Sequence, residues 1–539
     1  MRRRMLSAVA LAATIAFSSA APVVAKPKPK QKPKTQEIQI LNVSDWHAQL
    51  DPLVVNNVPI GGAAALSSYW KADRADNPNT LTLTAGDAYG ASPPLSGFFD
   101  EEPAVKAMNL MGFDADTFGN HNFDRGVEHL QRMIDLADFS YVSANLRNVR
   151  AELDGVAPYR IFEFGKTRVA VIGVTNPEAP TLVFPGRFGS IEVTDPVAAA
   201  ERARRDARKR GADVFVAIAH MGVTGTDAQG RQSGPLVDFA RAVDGFDVIL
   251  GDHTDVQYME RINDALVLEN RSKGVTYART TLTLKKGSHR VLGSESEFVT
   301  PVTAAVQPDQ AIVAMLEPYR RQLAAIFDTR IGTTTGIFPR TGTLERTQEA
   351  AIGNIVADSM RERYDTQLAL TNGGGLRAAL PSSYVPADLT LDRTAPAPWD
   401  LVTGDVFTVL PFGNIVVTRT VTGSQLYAVL EHGIGVAPAS NGRFPQISGF
   451  RFTYDSRLPA GSRVQSVALA DGTPILRDGT TYTLATNDFT NAGGDGYTML
   501  ADGTGTTREV MADVLLAHIQ ELGTISPVVD GRIDDLATP

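Results

Sequence analysis

The chain has 539 residues, of which 43% are hydrophobic and 21% charged, and it contains no cysteine; that is enough for two or three domains with sizeable cores and unlike a disordered or fibrous chain. Lys and Arg total 51 against 60 for Asp and Glu, a formal charge of −9, which argues against broad electrostatic capture of nucleic acid or anionic lipid. Without thiols, neither disulfides nor a lipoprotein-type anchor is expected.

Residues 1–25 read as a separate unit. Arg2, Arg3 and Arg4 precede an apolar run from Met5 to Phe17 and then small residues to Ala25, the pattern of a secretory signal peptide. The run is too short to span a bilayer comfortably, so no transmembrane anchor is expected, and the mature chain is placed outside the cytoplasm: secreted, periplasmic or in the cell envelope. Arg2-Arg3 leaves both Sec and twin-arginine export open. Loss of this segment removes three positive charges and no negative ones, taking the formal charge from −9 to −12. Residues 26–35 alternate Lys with Pro and read as an extended, solvated tether.

From 36 to 300, short β-branched runs alternate with helical stretches, the pattern of an α/β layered domain. Pro308 and Asp309 then open a helix within a 301–330 linker, with Ile312, Met315, Leu316, Tyr319, Leu323 and Ile326 at three- and four-residue spacing. Residues 331–539 hold a helix around Ile352 to Tyr364 followed by short strands rich in Thr, Val and Gly, a smaller second domain of α+β type.

Five strand-like runs of the first domain end in acidic or imidazole side chains. Ile38 to Val43 leads into Asp45-Trp46-His47, and Thr80 to Thr84 into Gly86-Asp87. Asp116 to Phe118 leads into Gly119-Asn120-His121-Asn122-Phe123-Asp124. Val214 to Ala219 ends in His220, and Phe246 to Leu250 in Gly251-Asp252-His253-Thr254-Asp255. Open α/β sheets bind ligands beyond the carboxyl ends of their strands, so these groups are expected to share one crevice. Four of the eight histidines fall in these turns; His129, His289, His432 and His518 lack such neighbours and read as structural or surface residues. Oxygen and imidazole donors without thiolate suit Mn²⁺, Mg²⁺, Zn²⁺ or iron used without redox change, and they outnumber the needs of one tetrahedral site. Two metal ions are inferred.

The arrangement Asp45-x-His47, Gly86-Asp87, Gly119-Asn120-His121, His220 and Gly-x-His253 resembles the calcineurin-like metallophosphatases, which implies a layered αββα sandwich. The resemblance assigns Asp45, His47 and Asp255 to one metal, Asn120, His220 and His253 to the other, and Asp87 to both. It gives His121 a catalytic role without metal ligation, oriented by Asp124 three residues on. Asp255 departs from the usual His or Gln, Asn122 stands where Glu is common, and Asp252 where Gly is common. An anionic Asp255 favours harder ions such as Mn²⁺ or Mg²⁺.

The second domain carries Asn372-Gly373-Gly374-Gly375-Leu376-Arg377, Leu410-Pro411-Phe412-Gly413-Asn414, and Phe489 ahead of Gly493-Gly494-Asp495-Gly496. Aromatic rings on loops can sandwich a flat base, while Arg holds an anion and Asp or Asn a ribose. In this order behind such a first domain, the motifs resemble the secreted bacterial 5'-nucleotidase, UDP-sugar hydrolase and 2',3'-cyclic nucleotide phosphodiesterase family, over about residues 36 to 535. That resemblance implies that Phe412 and Phe489 stack on the base, and that Arg346, Asn372, Arg377, Asn414 and Asp495 hold ribose or phosphate. It also implies a linker that lets the second domain reorient. The expected activity is hydrolysis of nucleoside monophosphates, with UDP-sugars or 2',3'-cyclic nucleotides as further substrates, by hydroxide held on two divalent ions (Mn, Zn, Mg or Ca). The alternatives are a thiosulfohydrolase-like enzyme of the same fold and a decayed nucleotide-binding surface protein.

Overall fold

The computed structural model describes residues 34–227, 229–394 and 396–537; the expected signal peptide and all but the end of the expected Lys/Pro tether lie outside them. Two six-stranded sheets fill the first part of the chain. One runs in the order Val291–Val299, Tyr277–Lys285, Thr35–Val43, Thr80–Thr84, Ala115–Asp116, Ser140–Tyr141. The other runs Tyr258–Ile262, Ala265–Glu269, Val248–Gly251, Val214–Ala219, Thr167–Val174, Tyr159–Phe164.

The side-chain period of two explains how they stack. Ile38 and Ile40, Leu81 and Leu83, Val214, Val216 and Ile218, and Val248 and Leu250 point inward and form one buried core between the sheets. The alternate residues Leu41 and Val43 on one side, and Phe215, Ala217 and Ala219 on the other, face the helix layers outside. Val214–Ala219 is therefore apolar throughout, whereas Thr80–Thr84 alternates Leu with the buried Thr82 and Thr84, and the result is the expected αββα sandwich. Parallel registers such as Gln39↔Thr80, Leu83↔Ala115, Val214↔Val169 and Val216↔Val248 align the strand directions, so their following loops collect at one end.

The runs expected at Thr80 to Thr84 and Val214 to Ala219 match strands residue for residue. The third is shorter than expected and stops at Asp116, because Phe118 leaves the ladder to stack on Tyr141 at 5.1 Å and 3°.

The helix Gln310–Phe327 is capped by Asp309, whose carboxylate accepts from Ala311 N at 3.2 Å and also binds Ser67 Oγ and Lys71 Nζ, each at 2.6 Å. Ile312, Leu316 and Leu323 are buried as the spacing predicts, but Ile326 is 50% exposed and Phe327 is buried in its place. Phe327 continues the four-residue rhythm of Leu323, and its ring packs on Phe98 and Phe407. The second domain follows: a five-stranded sheet ordered Pro445–Ser448, Leu368–Asn372, Thr481–Asn487, Ile415–Thr422, Thr506–Val510. Helices Ala351–Arg363 and Met511–Leu522 cover one face, and helix Gly423–Gly433 the other. No helix among the described residues is long and apolar enough to cross a membrane.

Candidate active site

The loops after the parallel strands meet in one cleft, closed on its far side by the second domain, with a cavity of about 1290 Å³. Fifteen of the sixteen residues expected at the site line it; His220 lies just behind, fully buried.

The backbone is bent to bring them there. Asp45, His47, Asp87, His253 and Asp495 all have positive φ, between 40° and 83°, a conformation that costs a non-glycine residue free energy and clusters at functional sites. Hydrogen bonds from His47 N to Asp87 O (3.0 Å) and from Ala48 N to Ala88 O (2.8 Å) bind the first two loops together. Asn122 Oδ1 accepts from Gly119 N at 2.8 Å and Asp87 N at 3.3 Å, fixing the third loop to the second. Gly119 is required by space: a Cβ there would lie 2.1 Å from Asp87 Oδ1 and 2.6 Å from His220 Cε1. Gly119→Ala is therefore expected to displace Asp87 and destabilise the protein by about 1–3 kcal/mol or more, and thermal unfolding with and without added metal checks both effects.

The imidazoles are oriented from behind. His47 Nδ1 donates to Gly90 O (2.8 Å) and His220 Nδ1 to Ala85 O (3.0 Å), so each turns the lone pair of Nε2 toward the cleft. His220 Nε2 then stands 3.2 Å from Asp87 Oδ2, 3.3 Å from Asn120 Oδ1 and 3.1 Å from His253 Nδ1. Ligand atoms of Asp45, His47 and Asp87 lie within 4.8 Å of one another, as do those of Asp87, His220 and His253. The two groups share Asp87.

Without cations this assembly is electrostatically uneasy. Burial, with Asp87 adding to it, pushes the Asp45 carboxyl up to about 6 despite His220. Burial and the neighbouring His220 drive His253 down to about 3. Burial also opposes the charges on Asp87 and His220, but their mutual attraction outweighs it, holding Asp87 below the usual carboxylate range and His220 up at about 9. Opposed lone pairs at 3.1–3.3 Å demand a proton or a cation between them, and carboxylate, imidazole and amide oxygen are the donors that divalent ions take. The residues present fit a metal centre.

Asp255 does not join these groups. It is exposed; its Oδ1 accepts from Ser272 N at 2.9 Å, and Oδ2 faces Arg271 at 3.6 Å. Asp252, one turn residue before His253, is the carboxylate that enters a group with Asp45 and His220. His121 stays outside all three groups. Its Nδ1 pairs with Asp124 Oδ2 at 2.9 Å, and its backbone N donates to Asp87 Oδ1 at 2.8 Å.

Across the cleft, Arg377 Nη2 donates to His47 Nε2 at 3.2 Å, joining the two domains at the lone pair that faces the cleft. Burial, with Arg340 and Arg346 nearby, pulls Arg377 down to about 9. Phe412 lies parallel to His121, with centroids 5.5 Å apart and 18° between planes. Phe489 lies over Gly494, where a Cβ would come within 2.3 Å of the ring. Asn372 donates to Asp495 Oδ2 at 2.7 Å, and Asn414 to Asp488 Oδ1 at 2.9 Å. Of the four histidines set aside as structural, His432 props the loop by meeting Asp495 O at 2.8 Å.

Sequence reasoning missed Lys273, whose N donates to Asp45 O (2.9 Å) and whose Nζ donates to Arg377 O (3.1 Å). It also missed Glu269, whose carboxylate accepts from Val223 N (2.9 Å) and Thr254 N (3.1 Å) and sets the loops of His220 and His253. Both lie at the end of strand Ala265–Glu269 or just beyond it, a sixth apolar run that carried the same signal as the other five.

Residues 330–502 match the family model of the 5'-nucleotidase C-terminal domain. A crystal structure of a 5'-nucleotidase precursor from Thermus thermophilus superposes with a TM-score of 0.82 at 26% identity, covering 94% of this chain and all of the other. Residues 330–502 thus carry a 5'-nucleotidase C-terminal domain. Thermus thermophilus SoxB, a sulfate thiohydrolase, shares the fold at TM-score 0.75 and 16% identity, covering 93% of this chain and 97% of that one. Endonuclease YhcR of Bacillus subtilis is 27% identical over 89% of this chain but only 39% of its own length. The chain spans 35–64% of three such relatives.

Proposed function

We propose that this chain is an exported, metal-dependent 5'-nucleotidase that hydrolyses nucleoside monophosphates to nucleoside and phosphate, with UDP-sugars and 2',3'-cyclic nucleotides as further substrates. The observation that carries the reading is that two ligand groups sharing Asp87 face an aromatic and arginine-bearing wall across one cleft. Asp45, His47 and Asp87 would hold one divalent ion, and Asp87, Asn120, His220 and His253 the second. Bound, such a pair supplies Lewis acidity to the phosphoryl oxygens and makes a water acidic enough to attack near neutral pH.

The protein's own groups do the rest. Arg377, already beside His47 Nε2, and Arg346 neutralise charge on the phosphoryl group from the second domain. His121 presents Nε2 to the cleft because Asp124 occupies Nδ1, and it donates to an oxygen on which charge develops. Phe412 offers a flat face one ring away from that imidazole, so a base stacked there leaves its phosphate near the metal loops. The same rings favour a nucleotide over the sulfur substrate of a thiosulfohydrolase. Export rests on the signal-like N-terminus, and exclusion of nucleic acid on the acidic charge.

The test is hydrolysis by the mature protein of AMP (read as phosphate and adenosine), UDP-glucose (as UMP and glucose 1-phosphate), 2',3'-cyclic AMP (as the ring-opened monophosphate) and a short oligonucleotide (as shorter fragments), with chelator and after return of Mn²⁺, Zn²⁺, Mg²⁺ or Ca²⁺. Hydrolysis of none of the three nucleotides refutes the proposal, and cleavage of the oligonucleotide alone moves it to a nuclease. Phe412→Ala is expected to raise KM for AMP by about tenfold or more, taking the ~1–3 kcal/mol typical of one base stack, while leaving KM for a small aryl phosphate nearly unchanged. Equal effects on both would remove the stacking role.

A further inference from the structure

We infer that Asp252 is a ligand of the metal pair, supplying a carboxylate oxygen beside Asp45 and His220. The inference rests on the two-metal reading above and adds to it a residue that the family pattern leaves as glycine.

The side chain of Asp252 is 0% exposed. Its Oδ1 accepts from His253 N at 2.9 Å, whereas Oδ2 accepts from no N–H or hydroxyl among the described residues and meets only the carboxyl of Asp45. A buried carboxylate oxygen without a donor is costly and calls for an explanation. Ligand atoms of Asp252, Asp45 and His220 lie within 4.8 Å of one another, and two carboxylates hold such a position only with a proton or a cation between them.

The backbone fixes this placement. Asp252 N donates to Met221 O at 2.9 Å at the end of strand Val248–Gly251, and Ser44 Oγ donates to Gly251 O at 3.0 Å, drawing the loop of Asp45 against that of Asp252. Asp255, the carboxylate expected at the metal, spends its oxygens on Ser272 N and Arg271 in an exposed position. An added anionic oxygen shifts the centre toward hard cations, Mn²⁺ and Mg²⁺ over Zn²⁺.

The experiment titrates metal-free full chain with Mn²⁺ by calorimetry, counts bound ions by elemental analysis, and records the Tm of the metal-free protein for wild type, Asp252→Asn, Asp252→Ser and Asp255→Asn. Asn keeps the acceptor for His253 N, and Ser provides an uncharged second variant should the first fail to fold. Both Asp252 variants are expected to bind Mn²⁺ about tenfold or more weakly, at least the lower end of what a disturbed metal environment costs. Their metal-free Tm should equal or exceed that of wild type, because the cost of keeping two buried carboxyls side by side is relieved. Asp255→Asn should keep wild-type affinity.

Wild-type affinity in the Asp252 variants would overturn the inference and leave a shared proton as the explanation. A lowered metal-free Tm would overturn it in favour of a structural role, and loss confined to Asp255→Asn would return the ligand to that residue. A wild-type chain that binds no ion at all would instead defeat the two-metal reading itself.

Discussion

His121→Ala is expected to lower kcat for AMP by roughly 100- to 10,000-fold, the usual range for a general acid or base, while both metal ions stay bound. The imidazole belongs to none of the ligand groups, so its loss removes a donor to the substrate and no ligand. The link between this loop and Asp87, the carboxylate common to both candidate groups, survives, because it is the backbone N of His121 that donates to Asp87 Oδ1. Asp124→Asn should give a smaller loss of kcat, since Asp124 acts by holding Nδ1 at 2.9 Å. Elemental analysis beside steady-state kinetics checks the claim: metal lost together with activity would make His121 a ligand.

Asp87→Asn should act on the metals first. Asp87 is the one carboxylate common to both ligand groups of the two-ion assignment, and it meets His220 Nε2 at 3.2 Å. Replacing it leaves an amide where a bridging anion is needed, so ion affinity and kcat should both fall by more than about 100-fold, beyond the 10- to 100-fold cost of losing an outer-shell partner. The metal-free protein should show the opposite sign for the imidazoles. The attraction of Asp87 is what holds His220 up at about 9 against burial, so the variant's His220 should titrate at lower pH by NMR. Full metal occupancy in Asp87→Asn would show that the carboxylate is not shared.

Much of this was legible in the sequence because strand ends are local signals. Thr80 to Thr84 and Val214 to Ala219 announce themselves by composition, and the residues that follow them inherit a position at the carboxyl edge. Helix Gln310–Phe327 was legible for the same reason, down to its Asp309 cap. What was not legible depends on contacts between distant loops. Nothing near Asp255 in sequence says that Ser272 and Arg271 will take its oxygens, and nothing near Asp252 says that Ser44 will pull Asp45 toward it. Lys273 reaches Arg377 across 104 residues of chain. Ile326 and Phe327 lie three and four residues after Leu323 and both fit helical spacing, so the rings of Phe98 and Phe407 decided which of them is buried.

On the proposed function, side chains from separate strand ends hold paired cations on which hydrolysis depends. The most direct test is to strip the mature protein with chelator and titrate divalent ion back while following phosphate release from AMP. No turnover at zero metal and full recovery at two ions bound per chain are expected. Undiminished phosphate release from protein shown by elemental analysis to carry no metal would contradict that function.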